Sequence, residues 1–290
     1  PDMDTFWEDL LTEPPENVHV TIQPSGLSPE ADWTKFLPDD YYDNLAQGKT
    51  EDWKDVYIHA MFGRSLSGQP VFRSFDRTVH GSKEEMKPMF TETPLLIGVD
   101  AGLTPAAVIG QVAHDGRLVV YDSVISDGMG ALRFIRERLK PLLANKFPGR
   151  QTLVIIDPAA FQRAQTDERT VADIYKTEGF MVKPARTNSI VARLAAVEKF
   201  MTRVVDGKYG IVIDTVTATS LVQALAGKYR YKINTKGARD EKPEKSHPWS
   251  DVADAFQYMC LHADGGETFG AVASSTQRRN VVKVSSHGWT

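Results

Sequence analysis

Two apolar runs that each end on an aspartate constrain this chain most. Leu95-Leu96-Ile97-Gly98-Val99 runs into Asp100, and Thr152 to Ile156 runs into Asp157-Pro158. Short apolar runs bounded by breakers read as buried strands. An aspartate just past a strand has an ordinary use in capping a turn or helix. Two of them, both past the C-terminal ends of strands in one α/β sheet, occupy the edge where such sheets place their ligands.

The surrounding pattern supplies that sheet. Ala106 to Val112 and Arg117 to Ser123 are strand-like and joined by His114-Asp115-Gly116, which predicts an antiparallel meander after the first strand. Helical spacing follows over Ala131 to Ala144, with Leu132, Ile135, Leu139 and Leu142–Leu143 on one side. Helices are also predicted over Thr170 to Glu178, Ile190 to Val205, Thr217 to Ala226 and Trp249 to His262. Short strands alternate with them at Phe180 to Val182, Ile211 to Ile213 and Tyr229 to Ile233. Three strands followed by alternating helices and strands predict an α/β layer fold with a mixed sheet.

At 290 residues the chain is long enough for more than one domain. The pattern divides it into a segment over 1–90, the readable domain over 91–263, and a tail over 264–290 without a core pattern, expected to be mobile. Within the first segment, Asp39 to Phe62 reads as one or two short helices, and His80 to Pro94 reads as a linker. No apolar run reaches the length of a membrane span. The acidic start lacks a signal-peptide pattern, so a soluble, reducing, intracellular setting is expected. The single cysteine, Cys260, excludes an intrachain disulfide and any zinc site built from several cysteines.

Formal net charge is −4, but the first 55 residues hold fourteen acids against three bases. The remaining 235 residues therefore carry +7, a balance that suits a polyanionic partner as well as an ordinary solvated surface.

The helix beginning at Trp249 carries the third acidic element. Asp251 and Asp254 are spaced i,i+3 and share a face, while Val252, Phe256 and Met259 mark the core side. Asp251 could simply complement the helix dipole; Asp254 lies deeper and is less readily explained that way. Carboxylates from two strands and a helix make an all-oxygen set that suits Mg²⁺ or Mn²⁺. Two such ions roughly 3.5–4 Å apart would hold a phosphodiester for in-line attack by water.

Bases precede this helix. Lys228, Arg230, Lys232, Lys236, Arg239, Lys242 and Lys245 form a run interrupted by three acids and interleaved with Tyr229 and Tyr231. A charge run is commonly a solvated loop, but this one leads directly into the acidic helix, which favours contact with a phosphate backbone. Arg133, Arg136, Arg138 and Lys140 form a second run, read as a helix solvent face. His247 stands where it could position water or a ligand beside the acids, although a histidine at a helix start is more often structural. Neither GxxxxGK[ST] nor GxGxxG occurs, so no nucleotide is expected to bind this chain.

In order and spacing, Leu96-Ile97-Gly98-Val99-Asp100-Ala101-Gly102, Val154-Ile155-Ile156-Asp157-Pro158-Ala159 and Ser250-Asp251-Val252-Ala253-Asp254-Ala255-Phe256-Gln257-Tyr258 resemble the nuclease domain of tailed-phage terminase large subunits. The resemblance covers about residues 90–263 and implies a ribonuclease H-like, RuvC-type fold. It implies a metal-dependent endonuclease that cuts double-stranded DNA with low sequence specificity during genome packaging, in the cytoplasm of an infected bacterial host. Asp100 and Asp157 become metal ligands; the helix ligand is Asp251 or Asp254, both retained, with Asp254 favoured. The bases before the helix match a variable element beside the family's active site. Portal and small terminase subunit are implied partners of the full assembly; a membrane is not. The stretch Leu37 to His80 is similar to the end of the family's ATPase region. The chain lacks Walker motifs and opens at Pro1, as a piece cut from a longer protein would. A junction resolvase or transposase-type nuclease of the same fold, and a catalytically silent DNA-binding or motor-docking module, are the competing readings.

Overall fold

The computed structural model describes residues 14–21, 24–31, 34–49, 51–61, 69–88, 92–162, 169–232, 240 and 242–265. The expected tail therefore lies, from residue 266 on, outside the described residues. Upstream, helices α1 (Tyr41–Ala46) and α2 (Glu51–Tyr57) fill the stretch expected to hold one or two short helices. Strand β1 (Gln69–Pro70) and a single helical turn, α3 (Arg77–His80), follow.

Seven strands form the central sheet. They are β2 (Gly81–Ser82), β3 (Leu95–Asp100), β4 (Ala106–Val112), β5 (Leu118–Ile125), β6 (Thr152–Ile156), β7 (Met181–Pro184) and, after the short hairpin of β8 (Val204–Val205) and β9 (Lys208–Tyr209), β10 (Ile211–Asp214). Their order across the sheet is β2-β10-β5-β4-β3-β6-β7. Neighbours pair antiparallel at β3–β4 and β4–β5 and parallel elsewhere, so β4 alone runs against the rest. Six strands thus end at the same edge.

Helices cover both faces because successive side chains of these strands point to opposite sides. Helix α4 runs through Ala131–Phe134, a π-helical turn Ile135–Leu139, and Lys140–Lys146. It packs with Tyr175 of α5 (Val171–Thr177) against Leu95, Ile97, Val99, Val154 and Ile156. On the other face, Leu96, Leu153 and Ile155 pack with α6 (Ile190–Thr202), α7 (Thr219–Gln223, continuing as a π-helical turn, Ala224–Lys228) and α8 (Trp249–Asp264).

α8 lies against β3 because Gly98 has no side chain: a Cβ there would collide with the Ala255 carbonyl oxygen. Ser250 to His262 are buried without interruption. The acidic side of α8 is therefore buried together with its apolar side. The sheet covers one side, and α6 and the loops cover the other.

The expected boundary near residue 90 does not separate the sheet from what precedes it. β2 pairs with β10, β1 pairs with β11 (Arg230–Tyr231), and Phe72 and His80 are buried. His80 Nε2 lies 2.9 Å from the Met201 carbonyl oxygen. Two-residue strands leave too little periodicity to be read from sequence, which is why the stretch resembled a linker.

Candidate active site

Register places the strand-end aspartates together. β3 and β6 are parallel with Val99 opposite Ile156, so Asp100 and Asp157 follow at neighbouring positions of one edge. By strand alternation Asp100 shares its side with Leu96 and Gly98, and Asp157 shares its side with Leu153 and Ile155. That is the face packed on α8. α8 carries Asp251 and Asp254 one turn apart, and both are buried.

Each acid has distinct partners. Asp157 caps the 3₁₀ turn Pro158–Phe161 by accepting from the Ala159 amide at 2.8 Å. It also accepts from Asn188 Nδ2 at 3.0 and 3.2 Å and from the Tyr258 hydroxyl at 2.8 Å. His247 Nδ1 lies 2.8 Å from both oxygens of Asp251, which also accepts from Thr104 Oγ1. Asp254 pairs with Lys245 Nζ at 3.1 Å and Arg193 Nη1 at 3.3 Å, and accepts from Gln257 Nε2 at 3.1 Å. Arg193 is itself buried, its guanidinium 4.9 Å from the centre of the Tyr258 ring.

The electrostatics tie Asp100 to the α8 acids. Burial pushes the Asp100 carboxyl up to about 7, with Asp254 and then Asp251 adding to the shift and Lys245 opposing it. Burial works against the charge of Lys245, but Asp254 and Asp100 more than offset it and raise its pKa. Burial holds Tyr258 well above the usual phenol range; Arg193 opposes the shift, and Asp157 and Asp254 add to it.

Among the described residues, no group of three or more Asp, Glu, His or Cys side chains is arranged to hold a metal ion as it stands. The oxygens of Asp157, Asp251 and Asp254 face protein donors. The donor set nonetheless fits a hard cation. It is all carboxylate, it comes from two strands and a helix, and Asp254 and Asp251 add to the upward shift of Asp100.

The basic run is only partly brought to the acids. Lys245 reaches Asp254, and Lys228 lies 4.3 Å over the ring of Trp249, the first residue of α8. Arg230 and Lys232 face Glu244 at 3.9 and 2.9 Å. Lys242 is exposed. Lys236 and Arg239 lie outside the described residues. Of the α4 bases, Arg133 pairs with Glu137, and Arg136 and Lys140 pair with Glu178, in keeping with a helix surface.

Arg193, Asn188, Tyr258 and Thr104 were not singled out from sequence. Only Arg193 carried a signal: it precedes the core positions Val197 and Met201 by one and two steps of four, so a charge fell on the apolar face of α6.

No family model matches the chain, and no curated protein matches it in sequence. Among solved structures, it is similar to the large terminase of a thermophilic bacteriophage. That match has 15% identity and a TM-score of 0.51, and it covers 78% of this chain and 52% of that one. The P22 large terminase nuclease domain matches at 12% identity and TM-score 0.48, over 69% of this chain and 95% of that one. The nuclease domain of the large terminase of bacteriophage SPP1, solved with bound Mn, matches at 16% and 0.42, over 68% and 99%. The likeness to the thermophilic-phage terminase shows the fold, so the mixed sheet flanked by helices stands as expected. The chain spans about half the length of that protein.

Proposed function

We propose that this chain contains the nuclease part of a phage large terminase, a divalent-metal-dependent endonuclease that cuts double-stranded DNA with little sequence preference during genome packaging. The observation that carries this is the convergence of Asp100, Asp157, Asp251 and Asp254 from β3, β6 and α8 at one sheet edge. Asp100, Asp157 and Asp254 are the residues that would hold Mg²⁺ or Mn²⁺, two ions in all, with Asp251 beside them. Bound cations would offset charge developing on the phosphate and activate water.

The chain's own groups do the rest. Arg193 and Gln257 fix Asp254 from beneath, and Tyr258 and Asn188 fix Asp157, so two acids are held at set orientations. His247 and Thr104 orient Asp251. Lys228, Arg230, Lys232 and Lys242, with Lys236 and Arg239, supply cationic contacts to phosphates, which bind without reading bases. Residues 1–90 would hold the end of the preceding ATPase region and the linker from it, and the nucleotide would bind outside this chain. The portal and the small subunit would complete the assembly in the host cytoplasm. Among the described residues no helix is long and apolar enough to cross a membrane.

Incubation with linear duplexes of unrelated sequence, and with a four-way junction, tests this reading. Mg²⁺-dependent cutting of all linear duplexes is the expected result. Cutting confined to the junction would replace the terminase reading with a resolvase, and the absence of cutting with any divalent ion would leave a DNA-binding module.

A further inference from the structure

The acidic cluster already holds a cation of its own, and the two oxygens of Asp254 hold their partners very differently. Oδ1 faces Gln257 and Arg193, both buried in the protein. Arg193 Nη1 and Nε make no hydrogen bond, so the guanidinium depends on Asp254 and on the ring of Tyr258. Oδ2 faces Lys245, whose side chain is 72% exposed. Lys245 stands on the irregular stretch that joins the basic run to α8. Asp157, by contrast, has a backbone amide, Asn188 and Tyr258 on its oxygens.

Asp254 Oδ2 is therefore an oxygen whose partner can leave into water without stranding a buried group. Lysine suits such a post: its ammonium is a compact, strongly hydrated charge on a flexible stem, and here that stem lies mostly in water while the carboxylate is buried. Given the metal-dependent reading above, on which this inference rests, we propose that Lys245 is a placeholder. Its ammonium neutralises Asp254 in the metal-free protein, yields Oδ2 to a divalent cation, and is thereby freed toward the DNA backbone. Cation loading and phosphate gripping would then be coupled, and coupling between two binding events is reciprocal.

Manganese titration of the metal-free full chain, followed by the electron paramagnetic resonance of the free ion, tests this without reference to cleavage. Lys245→Met removes the ammonium, and Lys245→Gln keeps a hydrogen-bond donor without the charge. Lys208→Met, on the exposed β8–β9 hairpin outside the central sheet, changes net charge equally and serves as the control. Both Lys245 variants should bind Mn²⁺ with a dissociation constant about three- to tenfold lower than the wild type. Lys208→Met should stay within about twofold, because a remote surface charge is screened. Unchanged or weaker binding in the Lys245 variants, or equal tightening in Lys208→Met, overturns the placeholder alone. No Mn²⁺ binding by the wild type overturns both the placeholder and the metal-dependent reading.

Discussion

Two groups of carboxylates are met by different mixtures of donors: Asp122 and Asp214 on β5 and β10, and Asp157, Asp251 and Asp254 around α8. Asp214, at the end of β10, accepts backbone amides from Met86, Val216 and Thr217 at 2.6, 2.9 and 3.0 Å. Its neighbour Asp122 accepts from the Ser123 amide and pairs with Lys146 of α4 at 2.6 Å. At the α8 face, Asp251 and Asp254 are met by side chains alone in the contacts described, and Asp157 by one backbone amide and two side chains. Backbone donors are fixed by the fold and hold a carboxylate for good. Side-chain donors can rotate away and leave oxygens for a ligand. Burial by itself does not distinguish these acids; the share of backbone donors does, highest at Asp214 and nil in the described contacts of Asp251 and Asp254.

The sharpest way to break this contrast is to remove charge from the second group. Asp157→Asn keeps a capping side chain for the turn at Pro158, so the fold should hold. Its cleavage of linear duplex should nevertheless fall about 10³-fold or more, equivalent to about 4 kcal/mol of lost transition-state stabilisation. Retained cleavage at saturating Mg²⁺ would make Asp157 a capping residue only.

The two α8 acids should separate next. An alanine at 254 would strand buried Arg193, at a cost of about 3–5 kcal/mol, so asparagine is the cleaner change. Asp254→Asn should be inactive with Mg²⁺ and Mn²⁺ alike. Asp251→Asn should lose about 10- to 100-fold, the usual effect of disturbing a group that orients a ligand, and lose less with Mn²⁺. The reverse order would make Asp251 the direct ligand.

Asp214→Asn should act on stability instead. Exchanging an acceptor of three amides for a weaker one should lower the unfolding free energy by about 1–3 kcal/mol in urea titration, with unchanged cleavage per folded molecule.

The smallest effect has the most informative sign. The Asp100 pKa is raised in the folded state, so its favourable contribution is full below about 4, the unfolded value. That contribution is lost as pH rises through about 7. Metal-free Asp100→Asn should therefore be more stable than the wild type at pH 8, by about 1–2 kcal/mol, and the gain should shrink toward pH 4. A gain independent of pH would mean that packing, rather than charge, is responsible.

Much of this site was legible in the sequence because its anchors are local. An apolar run identifies a strand and its end, and i,i+3 spacing identifies a helix face. Thus Asp100, Asp157, Asp251 and Asp254 were placed on their elements without tertiary information. Their partners were not. Asn188 and Asp157 are 31 residues apart, Tyr258 and Asp157 are 101 apart, and nothing local encodes those contacts. The upstream strand β2 was missed for the same reason: Gly81 and Ser82 are ordered by pairing with β10, more than a hundred residues later. Periodicity reports where the apolar residues of α8 lie; that its acids are buried too depends on distant partners such as Arg193 against Asp254 and Thr104 against Asp251.

Nicking of supercoiled plasmid by the wild type, Asp100→Asn and Asp214→Asn, each folded by circular dichroism and assayed with Mg²⁺ and with EDTA, tests the central claim most directly. The wild type and Asp214→Asn should nick at similar rates with Mg²⁺ and not at all with EDTA, while Asp100→Asn should be inactive in both. Nicking by Asp100→Asn at the wild-type rate would contradict the assignment of the α8-facing carboxylates as the catalytic metal site.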